Sequence, residues 1–326
     1  MIKTPEIQRA VAILRAGGLV AFPTETVYGL GADAMNPAAI RQIFTLKERP
    51  HDHPLIVHLA NIDQVVDWAR DISPQALMLA NAFWPGPLTL ILKKRPHVLD
   101  IVTGQQETVG LRIPSHPIAQ ALLSLFAGGV VAPSANKFTH ISPTTAEAVY
   151  EELGDAVDLI LDGGACSVGL ESTIIDLSRD KPIILRPGMI TTEMVRTVLG
   201  VPILTGSQKS SLVRAPGMHH LHYAPVTRTQ VIGSSELINY LKTQPREELP
   251  IAVMVHSSSS ILLPEIKQIH FIKMPANANA YAHALYHTLR TLDNQAFKQI
   301  VVESVPQGPG WDAIHDRLAK ASGSRL

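Results

Sequence analysis

The chain has 326 residues, of which 46% are hydrophobic and 17% are charged, and its formal net charge is zero. This composition excludes a disordered chain and argues against a broad nucleic-acid-binding face, while the length favours two domains. The one cysteine, Cys166, excludes an intramolecular disulfide and fits a reducing compartment. No apolar run is long enough to span a bilayer, and the N-terminus reads as an amphipathic helix rather than a signal peptide. We therefore expect a cytoplasmic protein with no membrane partner.

Residues 1–204 are predicted to form helices and strands that intermix without strict alternation. A first helix ends at Gly17-Gly18 and is followed by a buried strand, Val20–Phe22. Gly29 and Gly31 predict a tight turn after that strand. Apolar periods then predict helices over 40–47, 62–69, 74–83, 116–126, 144–153 and 192–199, and strands over 55–59, 88–92, 108–113, 129–132, 158–161, 172–177 and 183–185. This mixture predicts an α/β fold with a twisted mixed sheet flanked by helices.

The apolar pattern fades over residues 205–227, where Gly, Ser, Pro and His predominate, and this stretch is predicted to be a linker. From residue 228 onwards strands and helices alternate. The predicted strands cover 230–232, 251–255, 269–272 and 300–302, and the predicted helices cover 236–242, 279–292 and 311–321. This alternation predicts a smaller, Rossmann-like α/β domain with a parallel sheet over residues 228–326.

Several predicted strands adjoin loops that carry a cation or a small polar group. These residues are Lys47, Arg49, Thr108, Arg112, Ser134, Asn136, Ser172 and Arg186. Ligands of open α/β sheets bind at strand ends, and convergent arginines and a lysine match a triphosphate, alone or with a carboxylate. Taken singly, each residue also has a structural explanation, such as an ion pair for Arg112 or a turn for Asn136. No side chain is an obvious nucleophile, so the pattern favours catalysis by positioning and charge neutralisation, as in nucleotidyl transfer.

Common cofactor and metal motifs are absent from the sequence. There is no Gly-x-x-x-x-Gly-Lys loop, no His-Glu-x-x-His and no pair of cysteines, and Gly29-x-Gly31 lacks the third glycine of a dinucleotide fingerprint. His219, His220 and His222 could bind a metal ion, but solvated imidazoles in a flexible linker are the favoured interpretation. We therefore predict no metal-ligating residues and no tightly bound organic cofactor.

Seven motifs occur in a fixed order: FPTETVYGLGADA, KERPHDHPLIVH, WPGPLTLIL, TVGLRIP, APSAN, GLESTIID and LRPG. In this order they closely resemble the YrdC-like family of threonylcarbamoyl-AMP synthases over about residues 5–200. APGMHHLHYAP and the C-terminal α/β unit resemble the long, two-domain form of that enzyme. The resemblance implies a YrdC-like N-terminal domain that makes threonylcarbamoyl-AMP and pyrophosphate from L-threonine, bicarbonate and ATP. The product would feed threonylcarbamoyladenosine modification of tRNAs that read codons beginning with A.

The resemblance also implies three sets of site residues. The catalytic set falls on Lys47, Arg49, Ser134 and Asn136. ATP contacts fall on Arg49, His53, Thr108, Ser134, Ser142, Arg186 and Tyr223, and threonine contacts on Thr26, His58, Arg112, the backbone near Ala132, and Ser172. His53 stands where some relatives have Asn, so we expect a retained but altered ATP contact. Tyr223 would come from the linker folding over the site.

The implied partners are ATP with Mg²⁺, L-threonine, bicarbonate and downstream threonylcarbamoyl transferase proteins. Two alternative functions make different demands on the sequence. Carbamoyl transfer in hydrogenase maturation would need zinc-finger segments, which the single cysteine excludes. An RNA-binding or ribosome-associated module without ATP turnover is the alternative from another class, although zero net charge and 5% aromatic residues argue against a large RNA surface.

Overall fold

The computed structural model describes residues 4–205, 213–217, 222–256, 268–308 and 310–323. The chain forms two compact units. The first comprises Met1–Phe138 and Ser142–Met218, and the second comprises Thr139–Ile141 and His219–Leu326. Of the predicted linker, the described residues cover 205, 213–217 and 222–227. Within the described part of the chain, no helix is both long enough and apolar enough to cross a membrane.

The first unit is built on a large mixed sheet with helices around it. Its α-helices are α1 Thr4–Arg15, α2 Pro37–Lys47, α3 Val65–Trp68, α4 Pro74–Phe83, α5 Asp100–Thr103, α6 Pro117–Phe126, α7 Ala146–Leu153 and α8 Thr192–Leu199. Its strands are β1 Val20–Phe22, β2 Gly29–Asp33, β3 Ile56–His58, β4 Ala69–Arg70, β5 Leu88–Lys94, β6 Thr108–Arg112, β7 Val130–Val131, β8 Leu159–Ile160, β9 Thr173–Asp176, β10 Ile183–Arg186 and β11 Leu204–Thr205. The strand order is β11-β10-β9-β5-β6-β3-β7-β2-β1-β8, with β4 paired to β5. The predicted mixed sheet is confirmed.

The start and end of α2 position the first predicted cations. Asn36 caps the helix because its side chain accepts hydrogen bonds from the backbone N–H groups of Ala38 and Ala39, and Pro37 takes the first helical position. The helix ends at Lys47, because Glu48 adopts a left-handed conformation with φ 53°. Lys47 therefore lies in the last helical turn and Arg49 in the loop that follows.

The predicted tight turn at Gly29 and Gly31 is wrong, because both glycines lie in strand β2. This strand pairs antiparallel with β1, and Gly31 lies opposite Val20. A Cβ atom on Gly31 would lie 2.8 Å from a ring carbon of Phe22 and 3.0 Å from the carbonyl oxygen of Val20. Glycine is therefore needed for close packing rather than for a turn. The chain reverses earlier, where the Thr24 hydroxyl accepts from the backbone of Thr26 and Val27.

Apolar side chains fill the two sides of this sheet. One cluster joins α1 and α6 to the sheet and includes Leu14, Phe22 and Leu122. A larger cluster includes Ile43 and Leu90. A third, smaller cluster covers Ile56, Ile91, Ile174 and Leu185 with Val213 and Ala215 of the predicted linker. Burial of these side chains supplies the main driving force for folding of the unit.

The second unit has a small parallel sheet, as predicted. Its strands are β12 Thr229–Ile232, β13 Ile251–Val255, β14 Ile269–Lys273 and β15 Gln299–Glu303, and its α-helices are α9 Leu237–Lys242, α10 Ala278–Asp293 and α11 Asp312–Ala321. The strand order is β12-β15-β13-β14, and every recorded pairing is parallel. The alternation of strands and helices in the sequence indicates this arrangement because parallel neighbours need a crossover between them.

Candidate active site

Lys47 joins the end of α2 to the loop that carries Ser134 and Asn136. Its side chain is buried, and its Nζ donates to the carbonyl oxygen of Ser134 at 2.6 Å and also to that of Asn136. Burial, reinforced by the neighbouring charge of Arg49, lowers the pKa of Lys47 well below its usual value, while Glu152 opposes the change. The Lys47 side chain thus holds the loop that carries Ser134 and Asn136, and Arg49 lies close enough for its charge to act on Lys47.

Arg49 and His53 share an aromatic neighbour. The Arg49 Nη2 donates to the carbonyl oxygen of Pro54 at 3.0 Å, and its guanidinium carbon lies 5.9 Å from the ring centroid of Phe138. The His53 ring meets the same phenylalanine edge-on, with centroids 5.3 Å apart. Phe138 is therefore a support for two predicted ATP contacts, and the sequence analysis missed it.

Ser172 and Arg186 form a buried hydrogen-bonded group with Thr89. The Arg186 guanidinium donates to the Ser172 carbonyl oxygen at 2.9 Å through Nη2 and at 3.0 Å through Nε. Its Nη2 also lies 3.1 Å from the Ser172 hydroxyl, which in turn lies 2.8 Å from the Thr89 hydroxyl. Thr89 on β5 thus orients Ser172, a predicted threonine contact, and through it Arg186, a predicted ATP contact. Sequence reasoning missed Thr89, because its hydroxyl faces a residue far along the chain.

Ser142 is held by a carboxylate that the sequence analysis did not single out. The Ser142 hydroxyl donates to Glu171 Oε1 at 2.6 Å, and both side chains are buried. Glu171 immediately precedes Ser172, so it lies between a predicted ATP contact and a predicted threonine contact. Its position directly before Ser172, a predicted threonine contact, is the sequence signal that could have identified Glu171.

Arg112 forms a buried ion pair with Glu25. Its Nη2 donates to Glu25 Oε1 at 2.8 Å, and Glu25 Oε2 accepts from the backbone N–H of Ser115 at 2.9 Å. Only 4% of Arg112 and 5% of Glu25 are exposed. The Nε of Arg112 is buried and has no hydrogen-bond partner among the residues that the structure describes. The sequence analysis assigned no role to Glu25.

His58 lies beside Arg112, because β3 and β6 are parallel and the two residues are paired in register. Burial, followed by the charge of Arg112, lowers the pKa of His58 from 6.5 to about 3, against a smaller upward effect of nearby backbone carbonyls. The imidazole is therefore neutral at pH 7. Thr26 and Ala132 are buried as well: the Thr26 hydroxyl lies 2.8 Å from that of Thr24, and the Ala132 N–H donates to Ile56.

Two predicted ATP contacts, Arg49 and Thr108, and two predicted threonine contacts, His58 and Arg112, lie towards opposite ends of β3 and β6. Thr108 begins β6 and Arg112 ends it, and Pro54, which accepts from Arg49, precedes β3. Four residues of extended chain span about 13 Å. Thr108 also lines a cavity of about 380 Å³ with Arg70, Lys93 and Arg179. Elsewhere the two predicted sets adjoin, because Arg186 contacts Ser172 directly.

Tyr223 belongs to the second unit, and its ring is buried there. Its centroid lies 4.0 Å from that of His222 and 5.8 Å from that of Tyr286, and the Arg317 guanidinium carbon lies 5.0 Å from it. Of the three histidines considered as metal ligands, His219 and His220 lie outside the described residues. The described ranges contain no group of three or more His, Cys, Asp or Glu that could hold a metal ion.

Two family models match the chain. The model described as "Telomere recombination" matches residues 12–188, and the model described as "Threonylcarbamoyl-AMP synthase, C-terminal domain" matches residues 190–323. The threonylcarbamoyl-AMP synthase of Pyrococcus abyssi is 38% identical over 98% of this chain and 95% of its own length. That of Bacillus subtilis is also 38% identical, over 99% of this chain and 94% of its own length.

Solved structures agree with this relationship. The crystal structure of P. abyssi Sua5 complexed with L-threonine has a TM-score of 0.89 to this protein at 37% identity. The match covers 99% of this chain and 96% of that chain, so it includes both units. The fold, the ordered motifs and the near full-length similarity therefore place this chain in the threonylcarbamoyl-AMP synthase family, in its two-domain form.

Proposed function

We propose that this protein catalyses the formation of L-threonylcarbamoyl-AMP and pyrophosphate from L-threonine, bicarbonate or CO₂, and ATP. Membership of the family supports the reaction. The observation that carries the assignment of the site is the buried Arg112, whose Nε has no hydrogen-bond partner among the described residues. A buried N–H of a charged group without an acceptor is costly, and a substrate carboxylate would satisfy it.

Threonine would bind at the Arg112–Glu25 ion pair. Arg112 would pair with its carboxylate, and the neutral imidazole of His58 would offer one donor and one acceptor. Ser172, Thr26 and the backbone near Ala132 would contact the rest of the amino acid. These groups are held by neighbours within the first unit, so the pocket is largely preformed.

ATP would bind beside Lys47, Arg49 and Arg186. Lys47, Arg49 and Arg186 would neutralise charge on the phosphates, and the hydroxyl groups of Ser134 and Ser142 would orient phosphate or sugar oxygens. His53 and Thr108 would complete this set, and Asn136 would act with Ser134 in the loop that Lys47 holds. A bound phosphate raises the pKa of a neighbouring lysine, so nucleotide binding would favour the charged form of Lys47.

Two bond-forming steps make the product. The threonine nitrogen attacks the carbon of CO₂, a C–N bond forms, and the nitrogen loses a proton to leave a carbamate. A carbamate oxygen then attacks the α-phosphorus of ATP, and the bond to the pyrophosphate oxygen breaks. The site residues contribute by alignment and by stabilising charge on the phosphates, since no protein nucleophile is needed.

The carbamate is labile in water and needs a covered site. Part of the predicted linker supports such a role, because Val213 and Ala215 pack on the apolar face that includes Ile91. The carbonyl oxygen of Pro216 accepts from Arg186 Nη1 at 3.2 Å. We propose that this segment shields the intermediate, and that Tyr223 contributes to ATP binding from the C-terminal part of the linker.

Mg²⁺ would enter with ATP. Magnesium bound to a nucleotide takes most of its ligands from phosphates and water, with one or two carboxylates from the protein. Glu171, a buried carboxylate that accepts from the proposed ATP contact Ser142, would be the residue to hold it. When bound, the ion would reduce the negative charge of the triphosphate.

The product would then pass to threonylcarbamoyl transferase proteins that act on tRNA in the cytoplasm.

Pyrophosphate release tests the proposal. The full-length protein with ATP and Mg²⁺ is assayed with and without L-threonine and bicarbonate, and the adenylate is detected by mass. We expect release to require both substrates and the threonylcarbamoyl adduct to be found. Folded protein that releases no pyrophosphate in response to threonine would contradict the proposal. Titration of RNA at several salt concentrations would then test the RNA-binding alternative.

A further inference from the structure

Glu25 changes the electrostatic character of the amino-acid end of the site. Its carboxylate accepts a hydrogen bond from Nη2 of Arg112 at 2.8 Å and another from the backbone N–H of Ser115 at 2.9 Å. Both charged side chains are at least nine-tenths buried, so solvent screens their pairing weakly. The pair carries no net charge, yet Arg112 keeps a buried Nε that has no partner among the described residues.

The cations assigned to ATP make different contacts. Lys47 donates to the carbonyl oxygens of Ser134 and Asn136, and Arg186 donates to that of Ser172 at 2.9 Å. The dipoles of these backbone carbonyl groups orient the cations. Unlike a carboxylate, a carbonyl group does not cancel the positive charge of the cation it contacts. A polyanion such as a triphosphate is therefore attracted to these cations. At the Arg112 end, Glu25 offsets the attraction for anions.

We propose that Glu25 determines the specificity of this end, by making Arg112 select an amino-acid zwitterion over simple anions. A lone buried guanidinium attracts any carboxylate or phosphate. A guanidinium paired with a carboxylate matches a ligand that carries both charges, because the ligand carboxylate is drawn to Arg112 while its ammonium is drawn to Glu25. The proposal rests on the assignment of Arg112 to the threonine site made above.

The negative charge of Glu25 also acts against ligands that lack an ammonium group. The same repulsion keeps the triphosphate of ATP, and the pyrophosphate it releases, out of the amino-acid position. Specificity of this kind depends on a repulsive element as much as on an attractive one. Removing the charge while keeping the shape should therefore relax the discrimination between a zwitterion and an anion.

Two ligands separate these effects: L-threonine and (R)-3-hydroxybutanoate, which is threonine without its amino group. Their dissociation constants are measured by calorimetry on the full chain without ATP, for wild type and Glu25→Gln. Glutamine keeps a hydrogen-bond acceptor for Arg112 but removes the charge. We expect the preference for threonine over the deaminated acid to fall about tenfold or more, through weaker threonine binding and tighter binding of the acid. An unchanged preference would overturn the inference.

Two further variants serve as controls for this comparison. Glu193→Gln removes an exposed carboxylate that pairs with Arg196, and it should leave the preference as in wild type. Glu25→Asp keeps the charge on a shorter side chain and should retain the preference even if both affinities fall. Because the measured quantity is a ratio within one protein sample, partial misfolding of a variant does not change it.

Arg112→Ala distinguishes failure of this inference from failure of the site assignment. Loss of threonine binding in Arg112→Ala, together with an unchanged ratio in Glu25→Gln, would overturn the role of Glu25 alone. Threonine binding that survives Arg112→Ala would overturn both. Loss in Arg112→Ala with a lowered ratio in Glu25→Gln would support both.

Discussion

The two sheets of this protein bury polar side chains in different ways. In the mixed sheet of the first unit, buried charged groups such as Arg112 and Arg186 gather at strand ends. In the parallel sheet of the second unit, the fully buried Gln299 on β15 donates to Gln230 at 2.8 Å and to the hydroxyl of Tyr240 at 2.7 Å. The first arrangement presents charged groups, one with a guanidinium N–H that has no partner among the described residues, whereas the second joins neutral side chains of the unit to one another and leaves Gln299 Oε1 without a partner among those residues.

This difference indicates how to separate chemistry from stability in a two-unit enzyme. Buried cations at strand ends, held by carbonyl dipoles or by a carboxylate, are prepared for a charged ligand. Buried amides and phenols that bond to each other fix the packing of a small sheet. We therefore expect substitutions in the first group to change turnover, and substitutions in the second group to change the free energy of unfolding.

Tyr223→Ala should produce the largest effect, and it tests the assignment of buried groups in the second unit to stability. Truncation of a buried aromatic ring typically lowers the free energy of unfolding by about 3–5 kcal/mol, and Tyr223 is 1% exposed. Urea denaturation measures the loss, with Tyr150→Ala, at a position 56% exposed, as the control. The proposed ATP contact predicts weaker ATP binding as well. A fully stable Tyr223→Ala protein with impaired ATP binding would show that this residue serves chemistry instead.

Arg49→Ala should reduce turnover while the fold persists. Loss of one preorganised donor to developing charge typically costs about 10²–10³ in rate. Pyrophosphate release gives the rate, and thermal unfolding verifies the fold. Arg41→Ala is the control, because Arg41 is an exposed arginine on α2, the helix that precedes the loop of Arg49. Full activity in Arg49→Ala would show that the ATP assignment of this residue is wrong.

His58 should make the first unit sensitive to acid. Its pKa is lowered to about 3 in the folded state, against 6.5 ordinarily, so the unfolded chain binds a proton that the folded chain does not. Its contribution is complete above pH 6.5 and is lost as the pH falls towards 3, by at most about 1.4 kcal/mol per pH unit. Urea denaturation of wild type and His58→Asn at several pH values measures the difference. Parallel pH curves for the two proteins would refute the buried neutral imidazole.

Gln299→Leu should give the smallest effect, and it tests whether the buried polar group of the second unit serves stability rather than turnover. Two hydrogen bonds are lost, but Tyr240 can still donate to Gln230, so we expect about 1 kcal/mol of destabilisation. Threonine-dependent pyrophosphate release per folded molecule should stay at the wild-type value. Gln295→Leu, at an exposed position, is the control. A large fall in turnover without destabilisation would assign this cluster a functional role.

Local pattern predicted most elements of the fold well. The helices at 74–83 and 192–199 have the predicted bounds, because Ser73 and Thr191 cap them and apolar positions recur at the helical period. The glycine-rich strand β2 was misread as a turn, since glycine has no side chain to reveal a strand period. Short elements such as β4 and α5 were missed because two to four residues carry too little periodicity.

The site was predictable as a set of residue types and not as a set of contacts. Cations and hydroxyl groups at strand ends could be read from the sequence. The roles of Glu25 and Thr89 could not, because their partners lie 87 and 83 residues away along the chain. Such pairs form only when distant strands become neighbours in the sheet, as β5 and β9 do. Sequence reasoning therefore identified most of the residues proposed to touch substrate and missed the roles of those that hold them.

The burial of Cys166 has a practical consequence for spectroscopy. This thiol is the chain's one cysteine, and burial raises its pKa to about 12. Maleimides and alkylating agents react with the thiolate, so the native side chain should stay unmodified under ordinary labelling conditions. A cysteine introduced at an exposed position would then carry a fluorophore or spin label alone. The unaltered protein thus already provides the background for site-directed labelling studies of catalysis.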